Sequence, residues 1–187
     1  MTRKMPTPGL VSGSGPAPGP NKDDLFWKVL DAVIRLECTR GHLKWKMTDL
    51  SRMSGVTRTL IYYYFGKSKL ELVKAAIRVI GGEFFGLDPA RHSLWERKDF
   101  VQSILLTREL FKKAPYVGIF YLTQRQDGAV FQRDITDLER RYLKRLEKTF
   151  PRARTDQIHL LFATLLGLIF MPELELSSIT EYLKKSI

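Results

Sequence analysis

The sequence predicts an all-α protein, and three observations carry that expectation. Apolar residues recur at helical spacing from Asp23 onward, and Gly41, Gly55, Pro115, Gly128, Pro151 and Pro172 interrupt the pattern where helices should end. The β-branched runs that a sheet needs are absent, as are internal repeats. With 187 residues and 44% hydrophobic side chains, the chain can bury one sizeable core or two small ones.

Residues 1–22 carry Pro6, Pro8, Pro16, Pro18 and Pro20 among glycines, with no apolar run long enough for a signal peptide. They read as a disordered tail, with a groove-following basic arm through Arg3 and Lys4 as the alternative. Asp23 to Thr39 is a first helix, its stripe formed by Leu25, Phe26, Val29, Leu30, Val33 and Leu36 and its end marked by Arg40-Gly41. Thr48 is a candidate N-cap for a short helix carrying Met47, Leu50 and Met53, and Ser54-Gly55 then turns the chain. Thr57 offers a second N-cap. The helix that follows points Leu60, Ile61 and Tyr64 to one face and Arg58, Thr59, Tyr62 and Tyr63 towards the other. Ser68 can cap a fourth helix through Leu72, Val73, Ala76, Ile77 and Ile80. After a break at Gly86 to Pro89, further helices are expected near Trp95–Lys113, Tyr116–Gln126, Val130–Phe150, Thr155–Phe170 and Ser177–Lys185.

Two short helices around a glycine turn are the geometry of a helix-turn-helix, whose second helix enters the DNA major groove by its N-terminal residues. The residues Leu30-Asp31-Ala32, Arg40-Gly41, Thr48, Asp49-Leu50-Ser51, Ser54-Gly55-Val56-Thr57, Ile61-Tyr62-Tyr63-Tyr64-Phe65 and Ser68-Lys69 extend that pattern. From about Leu25 to Val73 the chain resembles the DNA-binding domain of the tetracycline-repressor (TetR) family of bacterial transcriptional regulators. It departs from the family's pattern at Thr59-Leu60, at Tyr64 and in the length of Phe65 to Lys69. The resemblance implies a three-helix DNA-binding domain at 23–70 and a larger helical domain at 71–187 for ligand binding and dimerisation. It also implies a cytoplasmic homodimer, most simply a repressor, on a palindromic double-stranded DNA operator, released by a small lipophilic effector. No cofactor is implied.

Chemistry assigns the contacts within each half-site. Arg58 suits a bidentate contact to guanine, and Thr59 and Tyr63 suit base edges or a thymine methyl. Thr48, Thr57, Tyr62, Tyr64 and one of Lys67 and Lys69 suit phosphates, with Tyr64 equally placed to join the core and the two threonines to act as caps alone. Candidate pocket residues are Phe100, Ile104, Leu105, Tyr116, Phe120, Tyr121, Phe162 and Leu166, for each of which ordinary packing is the simpler role. The helix Thr155–Phe170 is apolar on nearly every side yet too short to span a bilayer. Burial in the core and against a second subunit explains it, and the resemblance, which implies dimerisation through the last helices, puts the interface on Val130–Phe150 and Thr155–Phe170, with Ala163, Leu166, Gly167 and Phe170 in it.

Charge agrees with a polyanionic partner. The net charge is +11, and Lys44 to Lys69 carries six basic residues against Asp49. The basic run Arg140–Arg154 reads as a solvated helix face. Rival classes have less support. Gly66-Lys67-Ser68 lacks the upstream glycine of a P-loop, His42, His92 and His159 lack metal-ligand spacing, and Cys38, the single cysteine, reads as a small buried hydrophobe with redox sensing as the alternative. An all-helical enzyme is therefore disfavoured. A nucleoid-type DNA-binding protein without a ligand would leave about a hundred helical residues beyond Gly86 unexplained.

Overall fold

Helix α1 (Lys22–Arg40) is the element around which the N-terminal part packs. Val29, Leu30, Val33 and Leu36 are almost wholly buried along one stripe, and Phe26 packs at its edge. The helix stops at Gly41, whose φ of 87° places it in the left-handed region that a side chain disfavours. Its amide donates to Glu37 O at 3.1 Å, which satisfies one of the helix's last carbonyls.

The computed structural model describes residues 22–87, 89–97 and 99–171, with isolated positions between 173 and 181. The fold is all-α. Helices α2 (Met47–Ser54), α3 (Arg58–Phe65) and α4 (Lys69–Val79) complete an N-terminal head, and α4 runs directly into a π-helical turn at Ile80–Phe84. Helices α5 (Pro89–Glu96), α6 (Phe100–Lys113), α7 (Tyr116–Gln124), α8 (Gln132–Thr149) and α9 (Thr155–Phe170) follow. The expected boundary between residues 70 and 71 falls inside α4. The expected tail lies outside the described residues, as does most of the expected helix Ser177–Lys185.

Three local expectations need correction. The cap of α2 is Lys46, not Thr48: the Asp49 carboxylate accepts from the Lys46 amide at 2.8 Å, which starts the helix earlier and leaves Thr48 exposed within its first turn. Met53 is 40% exposed, because α2 turns Leu50 and Ser54 inward instead. The helix expected over Trp95–Lys113 is divided. Asp99 accepts from Gln102 N at 3.2 Å and caps α6 there.

One hydrophobic core runs from Leu25 in α1 to Ile169 in α9. Helix α1 lies against α7 as well as against α2 and α4, and Arg35 sits over the Tyr116 ring at 5.3 Å. At the π-helical turn, a Cβ built on Gly81 would lie 2.5 Å from Leu138 Cδ2, so α8 approaches the turn where no side chain stands between them.

Asp31 is one of two exceptions to this well-paired interior, Trp95 being the other: its Oδ1 is buried without a partner among the described residues. Burial pushes its carboxyl above the ordinary carboxylate range, and Arg35 opposes that push. A raised native pKa means that stability is fully present below the unfolded value and falls as pH rises through the native one. Asp31→Asn should therefore unfold at higher urea than the parent at pH 7. Repeating the titrations at lower pH should show the advantage shrinking through the carboxylate range.

Candidate nucleic-acid interface

The candidate face is built upward from one buried carboxylate. Glu37, 8% exposed, accepts from Trp45 Nε1 at 2.6 Å and from Leu43 N at 3.1 Å, and pairs with His42 Nδ1 at 2.9 Å. Lys69, at the start of α4, approaches the same loop from the other side. Its ammonium donates to Leu43 O at 2.5 Å and Trp45 O at 2.9 Å and lies 5.4 Å from the centre of the Trp45 ring. Both backbone polar groups of Leu43 are thus held, which keeps this residue at φ 55°, a left-handed conformation costly for leucine.

The turn between α2 and α3 is fixed by short hydrogen bonds. Ser51 Oγ donates to Val56 O at 2.7 Å, Ser54 Oγ donates to Leu50 O at 2.7 Å, and Val56 N donates to Ser54 Oγ at 3.2 Å. Gly55 makes the reversal at φ 67°. Thr57 then caps α3, its hydroxyl accepting from Leu60 N at 3.4 Å.

Helix α3 has one buried side chain, Ile61, and its first turn presents Arg58 and Thr59 to solvent. Tyr63 is 79% exposed, and Tyr64 stands outside the core at 44%, edge-on to Tyr63 with ring centroids 4.9 Å apart. Tyr62 is half-buried, with Lys67 Nζ 5.9 Å from its ring centre. The two lysines that sequence leaves in competition differ sharply: Lys67 is exposed, whereas Lys69 is half-buried with its ammonium turned inward. Lys44, Lys46 and Arg52 are exposed around α2, while Asp49 is engaged at the Lys46 amide, so the face is locally positive.

Beyond the head, Phe84 at the end of the π-helical turn and Phe85 just after it pack against Tyr121 at 5.3 and 5.5 Å between ring centroids. A small cavity of about 10 Å³ adjoins them, and the expected pocket residues Phe100 and Ile104 line it. Phe162 packs beside it on Tyr142, Phe120 packs on Phe131, and Tyr116 lies under Arg35. Leu105 and Leu166 are half-buried. On α9, Ala163 is exposed, Gly167 has open space where a Cβ would stand, and Phe170 is partly buried on Phe111 and Phe84. Leu160, 67% exposed, lies on the same side, a position that the sequence hides among so many apolar neighbours.

Comparison with known proteins gives a match of fold. The chain is similar to a solved structure, "Clostridium perfringens putative fatty acid metabolism regulator", with a TM-score of 0.58 and 15% identity over 83% of this chain and 94% of that one. No family model and no curated protein matches it.

Other chemistry finds little purchase. Burial pushes the Cys38 thiol up to about 11, with the nearby Glu37 charge adding to the effect, so the thiol is a poor nucleophile at neutral pH. No group of metal-ligating side chains occurs among the described residues, and no described helix is long and apolar enough to cross a membrane. Within the basic run of α8, Arg145 departs from a solvated role: it is half-buried and donates to the Gly86 and Leu87 carbonyls.

The contrast between the two lysines is testable without DNA. Lys69→Ala leaves two carbonyls of a strained loop unmatched and should lower stability by about 1–3 kcal/mol. Lys67→Ala should stay within about 0.5 kcal/mol of the parent in the same urea titrations.

Proposed function

We propose that this protein is a dimeric, ligand-responsive transcriptional repressor of the TetR type. The observation that carries the reading is the exposed start of α3, Arg58 and Thr59, on a short helix anchored by buried Ile61 and ringed by lysines and arginines. In this reading Arg58 contacts guanine, and Thr59 and Tyr63 meet base edges. Thr48, Thr57, Tyr62, Tyr64 and Lys67 meet phosphates, and Lys69 serves by holding the loop that carries α2.

A single short helix reads few base pairs, so a second copy is required for a long operator. The stripe Leu160, Ala163, Gly167 and Phe170 on α9, exposed except at the half-buried Gly167, is the surface on which that copy seats, with α8 alongside. A lipophilic effector in the larger domain changes the spacing of the two α3 helices through its differential affinity for the two forms. The aromatic interior suits such a molecule, and the structural neighbour is itself named for the regulation of fatty acid metabolism, which accords with a lipophilic guest.

Selection of bound sequences from random duplex DNA at several salt concentrations tests the reading directly. Enrichment of a palindrome is expected, and recovery of unrelated sequences would sink it. Arg58→Ala should remove discrimination at one position of each half-site, worth roughly 1–3 kcal/mol, while the dimer persists. Lys67→Ala should weaken all sequences alike and reduce the slope of log affinity against log salt by about 1. Leu160→Asp should yield monomers in sedimentation at micromolar concentration with helix content unchanged.

A further inference from the structure

We infer that the indole N–H of Trp95 recognises a hydrogen-bond acceptor, a carbonyl oxygen above all, on a small and otherwise apolar effector bound in the aromatic cavity that Trp95 and Ser103 line. The inference rests on the ligand-responsive reading above and specifies the chemistry of its ligand.

Trp95 is 3% exposed, and its Nε1 is buried with no hydrogen-bond partner among the described residues. Buried indole donors ordinarily find an acceptor, and this one cannot turn to seek another. Phe100 and Tyr142 pack edge-on to the ring at centroid distances of 5.0 and 5.2 Å, and the Arg145 guanidinium stands 5.9 Å from its centre. Opposite the donor is a glycine. A Cβ on Gly86 would lie 3.3 Å from Trp95 Nε1 and 3.6 Å from Ser103 Oγ. Trp95 and Ser103 line the same cavity, so an acceptor oxygen placed in it has one obligate donor and one hydroxyl among its neighbours.

The surroundings decide which acceptor. Two cations stand beside the site: Arg91 is buried and engaged, pairing with Glu83 at 2.9 Å and donating to Thr107 Oγ1 at 3.0 Å, and Arg145 donates to the Gly86 and Leu87 carbonyls. The guanidinium donors seen here are given to protein acceptors, which leaves the indole N–H as the unspent donor and suits the carbonyl of a ketone, aldehyde, ester or amide. Most of the remaining walls, among them Phe84, Phe85, Phe100 and Ile104, are apolar, with Thr107 and Tyr142 completing the lining.

The cavity's roughly 10 Å³ is about the space of one water, so a larger guest must part these rings. Phe84 and Phe85 belong to or adjoin the turn that continues α4. Occupancy is thereby coupled to the helix that grips the reading head, which supplies the differential affinity a switch requires.

The test uses the full-length protein labelled with nitrogen-15 and a matched pair of probes, acetophenone and ethylbenzene, which differ at the carbonyl. Acetophenone should shift the Trp95 Nε1–H resonance and bind roughly 2- to 10-fold more tightly. The preference should vanish in Trp95→Phe, which also assigns the resonance, and shrink in Ser103→Ala, each variant first checked for native helicity and melting. Equal binding of the two probes, absence of binding up to their solubility limits, or a trapped water at Trp95 that neither displaces would each overturn the inference. If Trp95→Phe does not fold, the parent's selective shift and Ser103→Ala decide the matter. Operator selection on the same preparation separates the two readings: loss of the carbonyl preference with a palindrome still selected removes this site alone, and the converse removes the repressor.

Discussion

The carboxylate of Glu37 takes a donor from Trp45, a donor from Leu43 and the imidazole of His42 into one buried site, and the geometry of the head follows from it. A buried charge stripped of its partners is expensive, typically about 3–5 kcal/mol, so the loop after α1 has little freedom to adopt another path. Lys69 then closes the site from α4 by holding the carbonyls of Leu43 and Trp45. Helices α1 and α4 are thus joined through a loop whose end is also the start of α2. The exposed face of α3 inherits its orientation from this arrangement, through the serine-fixed turn at Gly55.

The parts legible in the sequence are those decided within a few residues. The α1 stripe, the left-handed glycines at 41 and 55, and the caps at Thr57 and Ser68 are local events, and they occur where pattern and side-chain chemistry put them. The cap at Lys46 is obscured because Thr48 and Asp49 are both good capping side chains, and the aspartate's bond to an earlier amide decides the start. Lys69 cannot be told from Lys67 by pattern, since its acceptors lie 24 and 26 residues away in sequence. Helix α9 poses the opposite difficulty. With apolar residues on nearly every side, its periodicity does not say that Leu160 and Ala163 face outward while Leu165 and Leu168 face inward. Likewise, only the tertiary approach of Gly86 to Trp95 reveals an orphaned donor.

The head is not hung from the remainder by α4 alone. Helix α1 packs along α7, and the His42 ring meets Phe131, at the start of α8, edge-on at 5.1 Å. Helix α7 is in turn tied to α8, because Glu139 accepts from the Tyr121 hydroxyl at 2.5 Å and from Arg125 at 2.7 Å. Burial and the Glu139 carboxylate together raise the Tyr121 phenol far above its ordinary range, so it remains a hydrogen-bond donor at all physiological pH values. Any displacement of the aromatic interior must therefore move packed elements together, since a close-packed core transmits strain instead of absorbing it.

The missing side chain at Gly81 has a mechanical meaning. Leu138 of α8 presses on bare backbone there, close to one end of α4, while Lys69 grips the head at the other end. An 11-residue helix is about 16 Å long. Used as a lever about that fulcrum, α4 would need a tilt of only about 10° to carry its far end roughly 3 Å, close to the ~3.4 Å spacing of successive bases along a DNA strand. In the repressor proposed above, a change too small to alter any helix would thus put α3 a full base step out of register.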